Sequence, residues 1–148
     1  MSVDIKVLGL DNAKSILDYI TNNIDEESKK ALKILAENII NDARSNLQNN
    51  TNINTGHLLS TIRILKEDET SIWVGTDVDY AKYIEYGRGP IRPLKEDGWL
   101  HWIDKQTGKD VFAKFAKATE PMPFLEPAVI KNTEDFPRVY AEHMNEIL

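Results

Sequence analysis

Leu32, Leu35, Ala36, Ile39, Ile40, Ala43 and Leu47 recur at three- and four-residue intervals along one stretch of this chain. That spacing follows the 3.6-residue turn of an α-helix and gathers these side chains on a single stripe. Asp25, Glu26 and Glu27 precede the stripe, where acidic groups favour the positive end of a helix dipole. The pattern predicts a long amphipathic helix over residues 26–48. Ile16, Leu17, Ile20 and Ile24 keep the same spacing upstream, so residues 11–48 as a whole read as helical. A helix with one apolar face needs a packing partner, because most helical stability in proteins comes from burying that face.

The rest of the chain offers strands as that partner. Val3 to Leu8 alternates apolar and polar residues, so residues 1–10 read as a short strand or arm. Gln48 to Asn54 is polar and turn-forming, and Thr55-Gly56 opens a short helical turn. Thr61 to Leu65 and Ser71 to Gly75 flank a charged turn and read as one hairpin. Tyr80 to Gly87 reads as a short helix or turn. Residues 87–98 then form a basic loop containing Gly87, Gly89, Gly98, Pro90, Pro93, Arg88, Arg92 and Lys95. Trp99 to Ile103 and Val111 to Ala116 suggest a second hairpin. Phe124 to Ile130 begins a helical segment, and Val139 to Leu148 makes the last helix. The expected fold class is α+β: a single domain, 1–148, with an antiparallel sheet of two hairpins over 55–118. That sheet packs on the long N-terminal helix, and a C-terminal helical segment occupies 123–148.

Composition narrows the function. A chain of 148 residues, 41% apolar and 28% charged, suits one soluble domain. It contains no cysteine, which excludes disulfides, thiolate metal sites and cysteine nucleophiles. No apolar run reaches the ~18 residues of a membrane span, and the first residues do not read as a signal peptide. The chain is therefore expected to remain in the cytoplasm where it is made.

His57, His101 and His143 lie far apart and fit no zinc-binding pattern. Ser60 does not sit in a nucleophile-elbow sequence. Gly87-Arg88-Gly89-Pro90 lacks the consecutive N–H groups of a phosphate cradle. Glu85 and Glu126 could be imagined as an acid–base pair, but spacing alone does not bring them together. No catalytic, cofactor-binding or metal site is expected.

Charge is unevenly distributed beneath the formal net of −6. Residues 82–117 carry eight Lys/Arg against five Asp/Glu, between acidic flanks. This suggests complementarity between subunits or with a partner. The aromatic residues from Trp73 to Phe124 read as sheet core or subunit interface. A second reading makes some of them base-stacking platforms beside Arg88 and Arg92.

Four short blocks carry a resemblance: Thr55-Gly56-His57-Leu58-Leu59-Ser60-Thr61-Ile62, Val74-Gly75-Thr76, Tyr80-Ala81-Lys82-Tyr83-Ile84-Glu85-Tyr86-Gly87, and Pro123-Phe124-Leu125-Glu126-Pro127-Ala128. In this order they resemble the head–tail joining, or tail-completion, proteins of siphophage necks, also called minor tail proteins, over roughly residues 30–148. The resemblance implies a curved antiparallel sheet on a long helix. It implies a structural, non-enzymatic subunit, made in the host cytoplasm and then built into the neck or tail of a phage or prophage virion. Such proteins form homo-oligomeric rings, hexameric or larger, around the channel through which DNA passes without sequence-specific binding; the isolated chain could still be monomeric. The implied partners are copies of itself and neck, connector and tail proteins, with no membrane and no cofactor.

Gly56, Gly75, Tyr80, Gly87, Pro123, Phe124 and Pro127 are the expected structural positions. Tyr83, Glu85, Tyr86, Arg88, Arg92 and Lys95 are the expected interface and loop positions, with 87–98 as a mobile element that orders on docking. Two alternatives stay open: a nucleic-acid-binding accessory protein using the basic loop, and a small hydrolase built on Glu85, His101 or Glu126.

Overall fold

The computed structural model describes residues 4–7, 26–49, 56–68, 71–104 and 107–147. The helix expected at 13–24 and the polar turn before Thr55 lie outside them. The main helix, α1, runs Glu26–Asn49, ~36 Å at 1.5 Å per residue. Every residue of the apolar stripe is buried, together with Ser28 and Ala31. A short helix α2 (Gly56–Thr61) leads into β2 (Arg63–Glu67), which turns back into β3 (Ser71–Gly75). The first strand, β1 (Asp4–Val7), lies on the other side of β3.

The sheet order is β1-β3-β2, with β2 antiparallel and β1 parallel to β3. The parallel pairing corrects the expectation of purely antiparallel strands. A parallel neighbour requires a long crossover, and α1 lies within the stretch that connects β1 to β3. A register irregularity between Ile64 and Lys66 interrupts the β2–β3 ladder.

The two hairpins do not share a sheet, a second correction. After a six-residue helix α3 (Ala81–Tyr86), β4 (Leu100–Ile103) and β5 (Asp110–Ala113) pair, among the described residues, only with each other. The final helix, α4, is continuous over Leu125–Ile147 and contains Pro137, so the last helix does not begin near Val139. Proline removes one intrahelical N–H and normally kinks or ends a helix. Here Phe136 is buried before it and Tyr140 packs on the core after it. The Tyr140 hydroxyl lies 3.0 Å from Ser28 Oγ on α1, so tertiary packing carries the helix across.

α1 packs against both α4 and β3. Their shared core includes Leu35, Ile39 and Leu47 from α1, Ile72 and Val74 from β3, and Phe124, Leu125 and Val129 from the start of α4. Polar contacts frame it. Asp42 accepts from Lys131 at 2.9 Å and from Asn132 at 2.7 Å, joining α1 to α4. Arg44 donates to the Ile62 carbonyl at 2.7 Å and Asn46 to the Phe124 carbonyl at 3.1 Å.

Candidate interaction interface

The four sequence blocks converge on one end of this core. Thr61, closing α2, shares a 2.8 Å hydrogen bond with Thr76, just past β3. Thr76 Oγ1 in turn accepts from the Val78 amide at 3.2 Å, shaping the turn into α3. Tyr80 precedes α3, and its carbonyl accepts from the amides of Tyr83 and Ile84. Gly56 opens α2 and Gly75 ends β3.

The third and fourth blocks meet through Glu85. This carboxylate is 5% exposed and faces the N-terminus of α4. Oε2 accepts from the Phe124 amide at 2.9 Å and the Leu125 amide at 3.0 Å; Oε1 accepts from the Glu126 amide at 2.8 Å. A helix leaves its first four N–H groups without an intrahelical acceptor. Three of these four are bound by Glu85, and the fourth position is Pro127, which has no N–H. The whole N-terminal requirement of α4 is thereby met by one residue of α3 and one proline. The negative charge also sits at the favourable pole of the helix dipole.

Glu85 was expected at an interface; the structure places it inside, joining two segments of its own chain. It touches the backbone of Glu126 and not that residue's carboxylate. His101 lies on β4, stacked on Phe112 at 4.6 Å and 2.6 Å from Asp110. Among the described residues, no group of three His, Asp or Glu is placed to hold a metal ion, and no helix is long and apolar enough to cross a membrane.

Between Glu85 and Phe124 the chain leaves the body as a ribbon and returns. Its root is tightly closed. The Met122 amide donates to the Ile84 carbonyl at 2.8 Å, and Arg88 and Thr119 exchange backbone hydrogen bonds of 3.0 and 2.9 Å. Gly87 has φ +71°, and a Cβ there would lie 2.5 Å from the Thr119 carbonyl oxygen, so only glycine fits. Further out, Ile91 and Ala116 exchange two 2.9 Å bonds. The basic loop, expected to be mobile, is therefore tied to the returning strand at Arg88 and Ile91. Lys114 also donates to the Asp97 carbonyl at 2.8 Å.

No described residue between Glu85 and Phe124 is buried. The β4–β5 register pairs His101 with Phe112 and Ile103 with Asp110, which places these four side chains on one face. Trp99 joins that face, with Lys114 Nζ 4.5 Å above its ring. Trp99 and Ile103 are 61% exposed and Phe112 is 62% exposed. Arg92 covers the Phe115 ring at 5.3 Å. Tyr83 and Tyr86 are also exposed, as are Lys95 and Leu94.

Sequence reasoning located the second hairpin but took its aromatic residues for core or interface without separating the two. Beside the ribbon's root lies a cleft of about 310 Å³ between the β3–α3 turn and the start of α4. Val78, Phe124 and Leu125 contribute apolar surface to it, and Asp77 and Asp79 are among its exposed lining residues.

Comparison with known proteins covers the first three of these blocks. The HK97-gp10-like family model, described as "Bacteriophage HK97-gp10, putative tail-component", matches residues 12–87, just over half of the 148-residue chain. The chain belongs to this family. The match ends at Gly87, where the ribbon begins. No curated protein and no solved structure matches the chain. Membership makes this a structural phage protein of a tail-component family.

Proposed function

We propose that this HK97-gp10-like protein joins head to tail, assembling as a ring around the DNA channel in the neck of a long-tailed phage. One observation carries the reading beyond family membership: a ribbon of residues 88–119, anchored at a closed root, keeps Trp99, Ile103 and Phe112 in water. Contiguous exposed apolar surface on a monomer marks a surface awaiting a partner. Obligate contacts between virion subunits would cover it. The acidic remainder of the chain supports passage of DNA without retention, because like charges repel the phosphate backbone.

The expected phenotype of a phage lacking the protein is accumulation of filled heads and complete tails that stay separate, visible by electron microscopy. Supplying the intact chain in trans restores joined particles, whereas a chain lacking residues 88–97 does not. Joined, infectious particles from the null phage would refute the reading. Purified protein should also show no hydrolytic turnover that Glu85→Gln abolishes.

A further inference from the structure

We propose that the outer face of the ribbon seats in the acidic-lined cleft of a second copy, so that each subunit is both donor and acceptor in a head-to-tail series. This names the contact within the ring and therefore rests on the neck reading above.

The first argument is charge. Residues 88–119 hold seven Lys/Arg and four Asp/Glu, leaving eleven Lys/Arg against twenty Asp/Glu in the rest of the chain. A net +3 ribbon and a net −9 remainder attract each other between copies, and complementary potentials of this kind steer and orient association.

The second argument is that both surfaces are open and differ in kind. The donor face carries Trp99, Ile103 and Phe112, with Lys114 and the His101–Asp110 pair beside them. The acceptor is a concave cleft whose accessible apolar lining comes mainly from Val78 and Tyr86, because Phe124 and Leu125 are only 2% and 4% exposed. Asp77 and Asp79 supply the negative charge. Asp77 contacts Arg63 at 3.1 Å in an exposed pair, which is weak, and Asp79 has no ion pair among the described residues. The cleft's lysine, Lys82, lies 5.0 Å over the Tyr83 ring. A cleft of about 310 Å³ suits one or two large side chains. Because the ribbon's outer face is exposed, it is not seated in its own chain's cleft.

A contact between two different patches of one surface is heterologous, and it generates a closed ring when the rotation per subunit closes. A two-fold contact of ribbon on ribbon would bring two net-positive segments together, so charge disfavours it. Nucleic acid is the other conceivable occupant of a basic aromatic ribbon, but the acidic remainder of the chain opposes its approach.

The absence of native cysteine gives a clean test. The double variant Ile103→Cys/Lys82→Cys, in a glutathione redox buffer at low salt, should give a ladder of dimers, trimers and larger species on non-reducing gels. Either single variant should remain uncrosslinked. The ladder should fade at roughly 1 M salt, where the screening length falls to ~3 Å, and when Asp77 and Asp79 are both changed to Asn. Three outcomes overturn the proposal: no ladder from the double variant, dimers from Ile103→Cys alone, or a ribbon that retains duplex DNA at low salt while no ladder forms. The neck reading is decided separately by the null phage. A missing ladder with unjoined heads refutes the contact and leaves the neck role, whereas a ladder with normal null particles does the reverse.

Discussion

The body and the ribbon are built from the same kinds of residue in opposite states. In the body, Phe124, Ile39 and Leu47 lie at 2% exposure or less, and α1, α4 and β3 close around them. In the ribbon, Trp99, Ile103 and Phe112 are no less apolar and stand in water. A two-stranded hairpin is marginal on its own, and this one persists on a root that the body defines. Glu85 on one side and Phe124 to Pro127 on the other clamp the two ends of the excursion together. Apolar content therefore does not separate buried residues from exposed ones; packing among α1, α4 and β3 does.

The sharpest way to break this comparison is to remove a body residue at the clamp. Phe124→Ala should lower stability by about 3–5 kcal/mol, the usual cost of emptying a large buried aromatic site. Denaturant unfolding followed by far-ultraviolet circular dichroism would measure it. A loss below ~1 kcal/mol would mean that Phe124 is not part of a close-packed core.

How much of this contrast is readable from residues alone differs by region. The α1 stripe is legible because helical period and burial coincide: each position from Leu32 to Leu47 named by spacing is buried. The strands β2 and β3 are legible from their alternation and turn. The partner of β1 is not, because strand neighbours far apart in sequence leave no local trace. Continuity of α4 through Pro137 is hidden for a similar reason, since Phe136 and Tyr140 stabilise it only by packing on other elements. The role of Glu85 is half-visible. A carboxylate within Tyr-Ile-Glu-Tyr-Gly and a proline at the third position of a helix each hint at a helix start. Only the fold brings the Glu85 carboxylate within 2.8–3.0 Å of the Phe124, Leu125 and Glu126 amides.

A middle-sized effect tests the clamp itself. Glu85→Gln keeps the shape but removes the charge, and an amide offers only one acceptor oxygen where three N–H groups need partners. Hydrogen bonds to charged groups contribute about 1.5–3 kcal/mol each, and losses within one network are not additive. The expected cost is ~2 kcal/mol, with earlier amide exchange at Phe124 to Glu126 than in the intact chain. Exchange that begins in the ribbon, with the α4 amides unaffected, would detach Glu85 from the role assigned to it.

The body also carries a pH signature. Partial burial raises the Asp42 carboxyl pKa, but hydrogen bonds from Lys131 and Asn132 outweigh it, leaving the group below its ordinary 3.8. A depressed carboxyl contributes stability that is fully present above its unfolded value and is lost as pH falls through the folded one. The α1–α4 contact should therefore weaken below about pH 4. Asp42→Asn should flatten part of that acid slope. Glu27, lowered by its hydrogen bond to Lys30, supplies a share that remains. An unchanged slope in thermal melts between about pH 5 and pH 2 would remove Asp42 from the acid response.

The smallest thermal effect belongs to the ribbon and is the most informative about function. Phe112 is 62% exposed and stacks only on His101, itself exposed. Substitution of such a residue normally changes stability by no more than ~0.5 kcal/mol. Phe112→Ser should accordingly melt within a degree or two of the parent protein while failing to restore joined particles to a null phage. That pairing, an intact body with a lost assembly phenotype, is what an interface residue predicts and a core residue cannot produce. A melting point lowered by ~10 °C would instead assign Phe112 to the fold. Wild-type joining at unchanged stability would mean that this face of the ribbon is dispensable to assembly.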